Sequence, residues 1–189
     1  MPLVSGKYAV KNTAWLQAGA PTGVWRENFE RKMINTDLAA LTTQIMSVVG
    51  IPLQAGDLVT NISFKSGATA AGTPTNWWFA LYDNGATPAL LSQSADQLTA
   101  AWAATTTKTL ALAAAQTITT AGIYYLAVMV KATTVPTLVG FTGLAAGSGS
   151  VLTADKSLAL TSGSALTTTA PATLAAPTNV ATIPYAVVS

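Results

Sequence analysis

Between Asn61 and Gly140 short apolar runs alternate with turn clusters, and almost no charge interrupts the runs. They are rich in aromatic and β-branched residues, which suit a pleated, half-buried surface. Read across the middle of the chain, the pattern predicts strands at 44–52, 58–65, 76–82, 90–94, 108–113, 122–132 and 137–141. Between them Ala55-Gly56-Asp57, Ser66-Gly67, Gly72-Thr73-Pro74, Asp83-Asn84-Gly85 and Ala121-Gly122 supply the glycines and prolines that chain reversal needs. In the run from Trp77 to Tyr82 the period of two sets Trp77, Phe79 and Leu81 on one face and Trp78, Ala80 and Tyr82 on the other. One face is expected to be core.

The run IYYLAVMV, residues 123–130, is apolar at every position, so both of its faces need cover. This places it centrally in a sheet, beneath a second sheet on one side and another element or subunit on the other. A buried helix is the competing reading. Tyr124, Tyr125, Val128 and Val130 favour the strand, and Gly122 and Thr133-Thr134 bound a strand-sized length.

The flanking zones read differently. Residues 1–50 hold Trp15, Trp25 and a cluster of charges, Arg26, Glu27, Glu30, Arg31, Lys32 and Asp37. Residues 25–41 read as a short helix with Glu27 and Arg31 at i,i+4 spacing and Phe29 and Met33 on one face. An extended arm with one helical turn is the alternative. From residue 142 onward Ala, Thr, Ser, Gly and Pro dominate, a bias that alone resembles a low-complexity tail. Short strand candidates remain at Val151-Leu152, 157–160 and 183–188, the last expected to return as a closing strand after long ordered loops. The expected fold is all-β: an antiparallel, jelly-roll-like β-sandwich over 44–189, preceded by an N-terminal arm, 1–43, that contains a short helix. No internal repeat points to a solenoid or propeller.

Composition narrows the chemistry. Only 8% of residues are charged, against about 25% in ordinary globular domains. The formal net charge is +2, and so weak a charge suits a chain held in an assembly, with a homo-oligomer expected. Lys65, Lys108, Lys131 and Lys156 stand singly, which argues against nucleic-acid binding. With no histidine and no cysteine, serine-hydrolase triads, thiol nucleophiles and the usual zinc sets are excluded. No leader-like apolar region opens the chain, and no run approaches the roughly 18 apolar residues of a membrane helix. A soluble chain made in a cytoplasm, without membrane insertion, is the expectation.

Three groups of residues invite a functional reading. Trp78, Tyr82 and Trp102 form a candidate stacking platform for a glycan, the alternative being ordinary burial of Trp77 with Trp78 at a subunit interface. Asp57, Asp83 and Asp96 lie near turns, outside any calcium-loop spacing, and read as turn residues whose carboxylates bind nearby amides. No metal, cofactor or catalytic residue is called. Nothing pairs the acidic residues as glycoside hydrolysis would require, and GSGS at 147–150 lacks the lysine of a phosphate loop. Trp15, Trp25, Arg26, Phe29, Arg31, Lys32 and Met33 form a candidate docking element: apolar anchors among charges that set register, against the simpler reading of a solvated helix face.

The ordered series NISFKSG, TPTNWWFALYD, LLSQSAD, AAWAA, KTLAL and TAGIYYLAVMV, followed by TTVPTLVG, resembles the β-sandwich of virion structural proteins from tailed phages infecting actinobacteria. It covers less than half of the chain and leaves residues 1–43 outside. The resemblance implies a non-enzymatic protein at the virion surface, made in the host cytoplasm, with the sandwich facing outward. It implies no site residues position by position. A capsid decoration protein docked on the major capsid protein is the leading expectation. A minor tail or fibre protein bound to tail proteins and meeting the host surface is the first alternative, and a carbohydrate-binding module taking a host-surface glycan is the second.

Overall fold

The computed structural model of the chain describes residues 25–143 and 155–189. Trp15, the strand candidate Val151-Leu152 and the GSGS segment lie outside the described residues. Among the described residues thirteen strands follow in chain order: β1 (Arg26–Glu27), β2 (Thr36–Asp37), β3 (Met46–Leu53), β4 (Leu58–Lys65), β5 (Gly72–Tyr82), β6 (Leu90–Gln93), β7 (Thr107–Thr117), β8 (Gly122–Thr134), β9 (Val139–Thr142), β10 (Ala159–Ser162), β11 (Thr178–Asn179), β12 (Thr182–Pro184) and β13 (Ala186–Val188). They form a four-stranded sheet, β1-β13-β4-β7, a six-stranded sheet, β11-β10-β3-β8-β5-β6, and a three-stranded sheet, β12-β9-β2. All pairings between these strands are antiparallel.

The winding is that of a jelly roll. Strand β8 lies between β3 and β5. In the opposite layer β7 lies beside β4 and bulges toward β6, where Leu112 bridges Ser94 and the Ala114 amide donates to Ser92 Oγ at 3.2 Å. The bulge is visible in the register: Val59 faces Gln116 while Asn61 faces Ala111. Extra residues in one strand force such a departure and redirect the chain across the sheet edge.

Between the four- and six-stranded sheets sits the main core. Val59, Ile62 and Phe64 of β4 meet Ile51 of β3, Trp77 and Phe79 of β5 and Leu126 and Val128 of β8. Phe64 and Phe79 pack edge to face with centroids 4.9 Å apart, and Trp77 stacks on Trp102 at 5.0 Å. On the far face of β5 and β8 lies a second core with Met46, Val48, Trp78, Ala80, Tyr82, Tyr125, Ala127 and Met129. Both faces of β5 are therefore core, as its alternation permits. The Ile123–Val130 run is central in its sheet and covered on each side, the second cover being Leu166, Ala170 and Leu174 of the same chain.

Residues 25–41 do not form the expected helix. Their helical content is a single 3-10 turn, Arg31–Met33, and the residues on either side are extended. Sheet carbonyls compete successfully for their amides: Asn28 N donates to Ala186 O, Asn35 N to Gly140 O and Leu38 N to Leu138 O, at 2.9–3.1 Å. Asn28 adds side-chain bonds to Pro184 O and the Ala186 amide. An isolated helix of this length gains little by itself, so docking alongside β13 and β9 wins. Glu27, expected to pair with Arg31, instead accepts a hydrogen bond from Tyr185 at 2.5 Å.

The closing strand arrives in two pieces, β12 and β13, separated by Tyr185. β13 inserts between β1 and β4, with Ala186 opposite Phe64 and Val188 opposite Ile62. Gly140 of β9 lies where a Cβ would sit 2.3 Å from Ile183 O and 2.7 Å from Leu38 Cδ1, so only glycine lets β2, β9 and β12 close together.

Candidate functional site

Phe29 and Met33 do converge, although not along a helix. The 3-10 turn between them folds Met33 back toward Phe29, and the two line an apolar pocket of about 160 Å³ with Asn28, Gly50, Phe141, Leu158 and Ile183. Phe29 is held from behind by Tyr185, edge to face at 5.5 Å. Met33 is 50% exposed and Leu158 43% exposed, so the mouth presents large apolar side chains to solvent. Exposed apolar groups set together are the usual mark of a contact surface.

The charged residues of this segment divide into two sets. Arg26 is committed to the fold: its Nη2 pairs with Asp57 Oδ1 at 2.8 Å, and Asp57 Oδ2 accepts the Gln54 amide. Trp25 is half-buried, and its carbonyl accepts from Arg26 Nη1. Arg31 and Lys32 are exposed on the turn beside Met33, with Lys32 Nζ 2.9 Å from Glu30. An exposed pair of that kind contributes little to stability; both Arg31 and Lys32 are solvent-exposed. Burial, and then the hydrogen bond to Glu27, push the Tyr185 hydroxyl above its ordinary pKa, so Tyr185 stays a neutral donor.

The glycan platform is not formed. Trp78, Tyr82 and Trp102 are each 0% exposed, and no ring face is open to a sugar. Trp102 lies in the core between the sheets. Trp78 and Tyr82 are in the second core, buried by their own chain rather than at a subunit interface, with Trp78 Nε1 donating to Thr167 O at 2.8 Å and Tyr82 OH to Pro171 O at 2.9 Å. Burial raises the Tyr82 pKa well above that of a free tyrosine. Polar tips of buried aromatics seek partners, and here they take carbonyls of the segment that covers them.

The aspartates are turn residues. Asp83 Oδ1 accepts the Gly85 and Ala89 amides, and Asp96 Oδ1 accepts the Trp77 and Leu98 amides while Oδ2 accepts from Asn76.

Gly50, Phe141, Leu158 and Ile183 complete the apolar pocket from four separate segments, and no spacing in the sequence joins them. One local signal was present: a glycine inside a strand marks a close approach. A Cβ at Gly50 would lie 2.9 Å from Ile123 Cγ2 and 3.5 Å from the Leu158 backbone. No known family model and no curated protein matches the sequence.

Proposed function

We propose that the chain is a non-enzymatic structural protein of a tailed-phage virion, and within that class a capsid decoration protein. The ordered strand series 61–140 supports the class. The docking role is carried by one observation, the solvent-open apolar pocket formed by Phe29 and Met33 and flanked by Arg31 and Lys32. Its occupant is an apolar side chain of the major capsid protein, with the exposed cations fixing register against acidic groups on the shell. Charge is sparse elsewhere on the chain, so many copies packed on a lattice repel one another weakly. Buried area between decoration protein and shell is what resists internal pressure.

Cryo-electron microscopy of intact particles tests the location: density for this sandwich on the capsid lattice is expected. Density on the tail would replace the capsid reading with that of a tail or fibre protein. Absence from purified virions would end both. Met33→Asp, which places a charge at the mouth of the pocket, is expected to weaken binding to undecorated shells about tenfold or more and to leave the circular dichroism spectrum unchanged.

A further inference from the structure

A second pocket, of about 380 Å³, lies at the end of the covered face of the six-stranded sheet. That volume falls in the range of about 300–1,000 Å³ usual for small-molecule sites. Apolar walls are supplied by Pro88, Leu160, Leu174 and Pro177. Its polar groups converge from two places: Asp155, Lys156 and Ser157 from the irregular segment just before β10, and Tyr125 from β8.

Tyr125 is the unusual member. It is 3% exposed, and what remains exposed lines the pocket. Tyr82, Tyr124 and Tyr185 all donate their hydroxyls, to Pro171 O, Thr120 O and Glu27. The Tyr125 hydroxyl has no hydrogen-bond partner among the described residues. Its oxygen is not sealed in the interior, since Tyr125 lines the pocket, and a ligand there would meet an uncommitted hydroxyl. Burial, together with the nearby Asp155 carboxylate, raises its pKa and keeps it a neutral donor.

The walls are fixed rather than loose. Asp83 clamps the 83–89 turn through the Gly85 and Ala89 amides, Leu174 N donates to Pro88 O at 2.9 Å, and Lys156 Nζ donates to Gly85 O at 2.6 Å. The lining holds one carboxylate, Asp155, and one ammonium, Lys156, so the pocket carries no net charge to select an anion or a cation. Apolar rings and branched side chains beside hydroxyl, carboxylate and ammonium groups match a ligand that has C–H faces and several hydroxyls.

We propose that this pocket binds one neutral saccharide unit, with the Tyr125 and Ser157 hydroxyls as hydrogen-bond partners and Pro88, Pro177 and Leu174 against the sugar's apolar face. The site is separate from the buried tryptophans and does not depend on a virion role. It is tested by amide-resolved NMR titration of the whole chain with D-glucose, D-galactose, D-mannose and N-acetyl-D-glucosamine, with sodium phosphate as control. At least one sugar is expected to shift the amides of Ala86, Ser157 and Leu160 saturably, with Kd of about 1 mM or tighter. Tyr125→Phe is expected to weaken that binding about fivefold or more with an unchanged thermal midpoint, since the hydroxyl bonds none of the described residues, and Ser157→Ala is expected to weaken it as well. Saturable shifts with none of the four sugars, with phosphate alone, or with equal affinity in Tyr125→Phe would overturn the proposal.

Discussion

On its inner face the six-stranded sheet meets another sheet, and on its outer face it meets residues 163–177, which contain no strand among the thirteen. Both faces are buried to a similar degree: Trp77 is 1% and Trp78 0% exposed. The inner contact is made of side chains, with Trp77 stacked on Trp102 and tilted against Phe79. The outer contact is tied by polar bonds to an irregular backbone. Leu166 N donates to Gln44 O, Gln44 Nε2 to Leu166 O, Gln93 Nε2 to Thr168 O and Leu90 N to Ala172 O, and Ala170 N reaches Gln93 Oε1 at 2.6 Å. A segment without a ladder of its own must satisfy its buried peptide groups one at a time. The side chains of Gln44, Gln93, Trp78 and Tyr82 supply those partners, and a composition typical of disorder is thereby held in place.

The comparison breaks most severely at the inner face. Trp77→Ala is expected to cost about 4 kcal/mol, because it removes both the stack on Trp102 and the bond from Nε1 to Ala100 O. Urea denaturation measures this, and a loss below about 1 kcal/mol would mean that the two sheets do not share one core. Leu174→Ala, at 2% exposure under the cover, is expected to cost about 2–3 kcal/mol. The loss should be uneven: hydrogen exchange at the Leu166 and Leu174 amides is expected to speed up well before exchange at β8, as for a unit that opens by itself. Uniform acceleration would show instead that cover and sandwich unfold together.

Tyr82→Phe leaves the Pro171 carbonyl without its donor and is expected to cost about 1 kcal/mol in the same urea assay. The smallest effect is absent at neutral pH. Tyr82 and Tyr185 both have pKa values raised by burial. Their contribution is present in full below the unfolded tyrosine pKa of about 10 and is lost as pH rises through the folded values, since only the unfolded chain ionises readily in that interval. Stability followed by denaturant midpoint should therefore begin to fall above pH of about 10, and Tyr82→Phe should make that decline shallower. An unchanged slope would show that Tyr82 ionises no less readily in the fold than outside it.

Strand reading succeeded where pattern and burial agree. The expected strand 58–65 coincides with β4, and β3, β5, β6 and β8 lie within a few residues of their expected bounds. The two faces of 77–82 were legible because side-chain alternation in a strand is geometric. The helix over 25–41 was misread because its apolar spacing at Phe29 and Met33 is the same whether a helix or a turn brings them together. Trp78 and Tyr82 looked like a platform because nothing in their spacing reveals that residues some ninety positions onward lie across them; Trp78 reaches Thr167 and Tyr82 reaches Pro171. Of the apolar pocket, Phe29 and Met33 were legible and their partners from distant segments were not.

By itself the sequence determined an all-β sandwich, a central strand needing cover on both faces, a closing C-terminal strand, and chemistry without histidine or cysteine. These follow from local alternation, turn residues and composition, which act within a few residues or over the whole chain at once. Only the tertiary structure decided what does the covering, that the 25–41 segment lies extended along sheet edges, and which side chains surround the two pockets. Those outcomes depend on long-range competition for backbone hydrogen bonds and apolar surface, in which a Thr- and Ala-rich tail prevails when Gln44, Trp78, Tyr82 and Gln93 receive its peptide groups.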